Sequence, residues 1–141
     1  MQELHERIII GCNHSSIRGA EQELKAILKR LHLGSSHEHD ILVAASEAIN
    51  NAVTHGNKND PTKQVSLDID YRNHHVTLEV QDEGSGFDLQ TLPDPLLPEN
   101  LLKPSGRGIH IMKSLMDSVD FDFTPNGTRV IMESKTGKNR A

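Results

Sequence analysis

The spacing of apolar residues changes period several times along the chain, and each change predicts an element. Arg7-Ile8-Ile9-Ile10 is short, β-branched and apolar, and predicts a strand. Ser15 and Ser16 offer side-chain oxygens that can cap a helix starting beside them. Ile17, Ala20, Leu24, Ile27, Leu28 and Leu31 then recur at three- and four-residue steps, which predicts an amphipathic helix ending near Gly34. Ser36 can cap a second helix. Its stripe of Ile41, Ala44, Ala45, Ala48, Ile49, Ala52 and Val53 is narrow and rich in alanine, so the helix can lie close to a neighbour. Gly56 is its natural stop, and Asn57-Lys58-Asn59-Asp60-Pro61 is a polar loop.

The period then drops to two. Val65, Leu67 and Ile69 alternate with polar residues, as do Val76, Leu78 and Val80, with Asn73-His74 between them. That predicts an antiparallel pair. Residues 88 to 105 carry Pro93, Pro95, Pro98 and Pro104 and read as a long loop, the kind that tends to be functional inside a compact domain. Ile109, Met112, Leu115 and Met116 mark a third helix. Val119, Phe121 and Phe123 alternate, Pro125-Asn126-Gly127 supplies a hairpin turn, and Val130 and Met132 alternate again. The tail, 135–141, is polar. The expectation is one α+β domain over 1–141, with a core from about 7 to 134. It is a two-layer sandwich: a mixed, mostly antiparallel sheet with helices packed on one face.

Composition narrows the setting. The 141 residues suffice for one core. No run of eighteen apolar residues predicts a membrane span, and the acidic start does not read as a signal peptide. Cys12 is the only cysteine and reads as a small core residue in a protein of the reducing cytoplasm. A formal charge of −5, no tryptophan and one tyrosine argue against direct nucleic-acid binding and allow docking on a basic protein surface.

Three short segments carry chemistry. Glu47 and Asn51 are one helical turn apart and project together beside the alanine stripe. A carboxylate can accept a proton from a hydroxyl, and an amide oxygen can ligate magnesium, so the pair suits phosphoryl transfer. Asp82 continues the alternation of Val76, Leu78 and Val80, so it points toward the core and needs donors. An exocyclic purine amine would be one, and the Thr128 hydroxyl can join the same network. Gly84 and Gly86 let backbone approach a flat ring closely. Ser105-Gly106-Arg107-Gly108 precedes the third helix, where free amides and the helix dipole favour anions and Arg107 can add charge-assisted bonds. No Walker-A run is present, and Ile111 stands where a dinucleotide fingerprint would need its third glycine.

In order and spacing these segments resemble the Bergerat-fold ATP-binding superfamily, which includes gyrase, histidine kinases and mismatch-repair ATPases. Ser-Glu-Ala-Ile-Asn-Asn-Ala-Val-Thr-His-Gly, residues 46 to 56, looks like its asparagine box. Asp82-Glu-Gly-Ser-Gly-Phe looks like the first glycine box, and Gly106-Arg-Gly-Ile-His-Ile-Met like the second. Asn126-Gly127-Thr128 matches the late glycine-threonine. Three features resemble the stand-alone anti-sigma factor serine/threonine kinases: an ATP domain alone, Glu47 where histidine kinases usually have asparagine, and the run Gly108 to Asp117.

The resemblance implies ATP and magnesium as cofactors. Asn51 would ligate the metal, Glu47 would act as general base toward a partner's serine, and Asp82 with Thr128 would hold the adenine amine. Gly84, Gly86, Gly106 and Gly108 would shape the pocket, with Arg107 and Ile109 beside them. The loop 88–105 would be the ATP lid, and Lys103 its phosphate-facing base. The implied partners are an anti-anti-sigma factor as phosphoacceptor, a sigma factor and a second copy in a homodimer.

A nucleotide-gated binding module of the same fold, with little kinase turnover or a non-sigma partner, is the alternative. The gyrase branch is disfavoured because no transducer domain follows the last strand. His32, His37 and His39 lack metal-site spacing and read as capping and surface positions. His74-His75 reads as a turn, and His55 and His110 flank the proposed pocket.

Overall fold

The structure is a computed structural model that describes residues 3–84 and 104–136. The candidates Gly86 and Lys103, the loop positions 88–103 and the tail 137–141 lie outside the described residues. The described residues form five strands and three α-helices: β1 (Leu4–Gly11), α1 (His14–Arg30), α2 (Ser35–Asn51), β2 (Gln64–Arg72), β3 (His75–Gln81), α3 (Pro104–Leu115), β4 (Ser118–Thr124) and β5 (Gly127–Lys135). The sheet order is β1-β2-β3-β5-β4. All four pairings are antiparallel, a step beyond the mostly antiparallel mixture expected. After α3, β4 takes the sheet edge, and its hairpin returns β5 into the place beside β3.

Register explains the layers. Ile8, Leu67, Val80, Val130 and Phe121 stand in one row across the sheet, with Leu78 and Met132 beside them. Side chains alternate along each strand, so these rows share a face. All but Phe121, which is partly buried and packs against them, join Leu24, Leu28, Ile41, Ala45, Ile49 and Met112 in one buried cluster, with the helices on that face. The opposite face is mostly polar, with Ile9 exposed on it. There Arg7 pairs with Asp68 at 2.7 Å, and Arg129 with Asp122 at 2.9 Å. His5 bonds Asp70 at 2.6 Å, and that carboxylate holds the imidazole above its ordinary pKa.

The hairpins follow local chemistry. Asn73 and His74 both adopt positive φ, 49° and 62°, which suits a two-residue turn with the strand twist. Pro125 and Asn126 make the second turn, leaving Gly127 as the first residue of β5.

Three local expectations need correction. Asn13, not Ser15 or Ser16, caps α1: its extended backbone lets its side chain accept from the Ser16 amide at 2.8 Å. Gly34, at φ 92°, takes the cap position of α2, so Ser36 falls inside the first turn and does not cap. And α2 does not run on to Val53. It ends at Asn51 and widens into a π turn over Ala52–Gly56, closed by the Asn57 amide on the Ala52 carbonyl at 2.8 Å. Among the described residues no helix is long and apolar enough to cross a membrane.

Asn13→Ala should destabilise the chain by about 1 kcal/mol, because a first-turn amide of α1 loses its acceptor. Ser15→Ala and Ser16→Ala should change it by less than about 0.5 kcal/mol. Urea unfolding of the three variants checks the assignment, and a serine variant that costs as much as Asn13→Ala would contradict it.

Candidate functional site

The alternation of β3 carries past its last residue to Asp82, which is 4% exposed. A buried carboxylate is costly unless donors meet it. Its Oδ1 accepts from the amides of Gly84 at 2.9 Å and Thr128 at 3.0 Å. The Asp82 amide in turn donates to the Thr128 carbonyl at 3.1 Å. Thr128 therefore joins through its backbone, where the sequence suggested its hydroxyl. Among the described residues nothing donates to Oδ2.

Glycines make room around this carboxylate. A Cβ on Gly56 would stand 2.0 Å from Asp82 Oδ2. One on Gly127, at φ +143°, would stand 2.3 Å from the Asp82 carbonyl oxygen. Gly127, read from sequence as part of a turn, is thus also needed for close approach. Gly84 lies against the Gly56 carbonyl, where a Cβ would be 2.7 Å away. The π turn at the end of α2, the corner after β3 and the start of β5 meet at one residue.

Five residues before Gly56, α2 presents the other half of the site. Glu47 and Asn51 are both half-buried and both lie against Gly108 of α3. A Cβ there would be 2.9 Å from Asn51 Nδ2 and 3.0 Å from Glu47 Oε2. Their polar neighbours are engaged: Ser46 donates to Glu21 at 2.5 Å, Asn50 to the Ser46 carbonyl at 2.8 Å and Thr54 to the Asn50 carbonyl at 2.7 Å. Neither the Glu47 nor the Asn51 side chain makes a hydrogen bond or ion pair with the rest of the described chain. Half-buried polar groups left open in this way are available to a ligand.

The second glycine pair sits differently from expectation. Pro104 begins α3, so Gly106, Arg107 and Gly108 fall within its first turns and do not precede it. Proline suits a first helical position, having no amide to waste and a helical φ. Arg107 is exposed, whereas the Ile109 side chain is 8% exposed and belongs to the core. His55 and His110 are exposed.

Two residues that the sequence placed at the surface or in a loop are buried. His37, expected near the surface, is 5% exposed, and its Nε2 has no hydrogen-bond partner among the described residues. Asn57, read as loop, is 1% exposed and bonds both Gln64 and Glu83. A cleft of about 640 Å³ lies between Leu4, Tyr71, Arg72 and Glu133, by the β2–β3 turn and at the opposite end of β3 from Asp82.

Residues 13–134 match the model of the histidine kinase-like ATPase domain. The chain is 35% identical over 107 residues to an anti-sigma F factor of Bacillus licheniformis, covering 72% of each chain. It is 37% identical to that of Geobacillus kaustophilus and 34% to that of Bacillus subtilis, with the same coverage. Its fold resembles a crystal structure of the RsbU and RsbW domains of a Mycobacterium tuberculosis protein, with TM-score 0.69 and 18% identity. That match covers 96% of this chain and 32% of the other.

Gly56→Ala should destabilise the chain by about 1–3 kcal/mol, because the new methyl overlaps the Asp82 carboxylate. Gly19→Ala, in α1 with nothing within 4 Å of the added Cβ, should instead stabilise it by about 1 kcal/mol. Opposite signs in urea titration are the expected result; a Gly56→Ala variant as stable as the parent would mean that the corner is not held as described.

Proposed function

The chain belongs to the histidine kinase-like ATPase domain family, and from that premise we propose an ATP-dependent serine/threonine protein kinase that also acts as an anti-sigma factor. Its phosphoacceptor is an anti-anti-sigma protein, and the protein it holds inactive is a sigma factor. It works as a homodimer in the cytoplasm. The relatives' names, anti-sigma F factors, support the sigma-factor partner. One observation supports the chemistry most: a buried Asp82 with one oxygen committed to backbone, and Glu47 and Asn51 set against Gly108 with no partner among the described residues.

Each residue has a task it suits. Asp82 Oδ1 is held by two amides, which fixes the plane of the carboxylate and leaves Oδ2 to accept from the adenine amine. The first-turn amides of α3 and the exposed Arg107 favour the phosphates. The Asn51 amide oxygen is a hard ligand and would hold magnesium, which when bound neutralises charge on the β and γ phosphates. Glu47 accepts the proton of the acceptor serine as that hydroxyl attacks. The turn of α2 keeps Glu47 and Asn51 in fixed relation, its packing on α3 sets them against Gly108, and positioning of this kind is most of what phosphoryl transfer asks of a protein.

Incubation with labelled ATP, magnesium and the anti-anti-sigma protein tests the reading. Glu47→Gln should lower phosphotransfer by about 10²–10⁴-fold with ATP affinity retained. Loss of ATP binding together with transfer would contradict the base role. ATP binding without any transfer by the parent chain would make it a nucleotide-gated binding module. Asp82→Asn keeps an acceptor for the two amides but points an NH₂ at the adenine amine. It should weaken ATP binding at least about tenfold by calorimetry, and an unchanged affinity would remove Asp82 from the adenine site.

A further inference from the structure

Asn57 is the most completely buried polar residue near the site, and its side chain braces the corner that carries Asp82. Its Oδ1 accepts from the Glu83 amide at 2.7 Å. Its Nδ2 donates to the Gln64 carbonyl at 3.0 Å and contacts Cys12 Sγ at 3.5 Å. The Gln64 amide donates to Glu83 Oε1 at 2.6 Å, which closes a ring of Asn57, Gln64 and Glu83. Asn57 also closes the π turn through its own amide, and that turn places Gly56 against Asp82 Oδ2. A single residue therefore ties the end of the Glu47–Asn51 helix to the peptide next to Asp82.

We propose that Asn57 is a positioning residue for purine selectivity: by holding the Glu83 amide it sets the aim of Asp82 Oδ2 toward an exocyclic amine. This rests on the nucleotide reading above. Two supports hold Asp82 from one side, the Thr128 amide and carbonyl, while the Gly84 amide that shares Oδ1 belongs to the corner itself and moves with it. On the other side the peptide is held by Asn57 through Glu83. Without that acceptor the corner can rotate about the Thr128 bonds, and Oδ2 no longer addresses the amine. Affinity contributed by the phosphates does not depend on that angle, so the role shows in base discrimination and not in binding overall.

The test compares ATP with inosine triphosphate, in which a carbonyl replaces the exocyclic amine, by calorimetry on the full chain. The parent should prefer ATP by roughly tenfold or more. Asn57→Ala should bring the two affinities close to equal, mainly by weakening ATP. Asn57→Asp retains an oxygen for the Glu83 amide and should restore the preference, although it loses the donor to Gln64. Amide exchange without nucleotide should show Glu83 deprotected in Asn57→Ala and protected in Asn57→Asp, with Val80 and Met132 protected in both. Should Asn57→Ala lose protection at Val80 and Met132 as well, Asn57→Ser is read by the same ratio. A preference that survives the loss of Asn57, or two affinities that fall together, overturns this role alone. A parent chain that binds both without preference overturns this role and the amine contact of Asp82, and one that binds neither overturns the nucleotide reading itself.

Discussion

A carboxylate buried at the end of a strand has to be met by donors, and Asp82 is met by the main chain. That requirement orders the region around it. The amides of Gly84 and Thr128 converge on one oxygen, so the corner after β3 must turn back at once and β5 must begin beside it. Close approach of three backbone segments leaves no room for side chains at 56 and 127. The glycines at those positions answer a steric demand created by the acid, and among the described residues the acid keeps one oxygen unspent because the backbone supplies donors on one side only.

The other half of the site depends on how closely two helices approach. Alanines at 44, 45 and 48, and Ala52 in the π turn that follows, are buried and let α2 and its end settle into the core beneath the sheet. Gly108 lets α3 come down on Glu47 and Asn51. Two glycines in the first turns of α3 disfavour that helix by about 1 kcal/mol each relative to alanine. Buried Ile109, Met112 and Met116 offset this by anchoring the helix to the core. The site is thus built where local stability has been given up for proximity, and the apolar side of the same helix carries the difference.

Much of this was legible in the chain itself. A β-branched run placed β1 and period-two runs the other four strands, and the same alternation, carried two residues beyond Val80, put Asp82 inside. Period 3.6 placed α1 and α2 and set Glu47 and Asn51 side by side. The order acid–amide helix, acid–glycine corner and glycine helix start was sufficient to suggest a nucleotide site. What these readings share is that the deciding partner lies within a few residues, so spacing alone decides the outcome.

Where the partner is distant, spacing says little. Asn13 wins the cap of α1 over Ser15 and Ser16 because the preceding strand ends at Gly11 and leaves position 13 extended, which composition does not reveal. The π turn results from where Asn57 must go, and Asn57 goes inward because Gln64, seven residues on, and Glu83, twenty-six on, satisfy it there. A polar run such as Asn57-Lys58-Asn59-Asp60 reads as solvent-exposed only if each amide is assumed to find water. Burial of one asparagine among exposed neighbours is a tertiary decision, made by backbone groups that carry no side-chain signature. The same holds for Thr128, whose contribution to Asp82 is an amide that any residue other than proline would have offered.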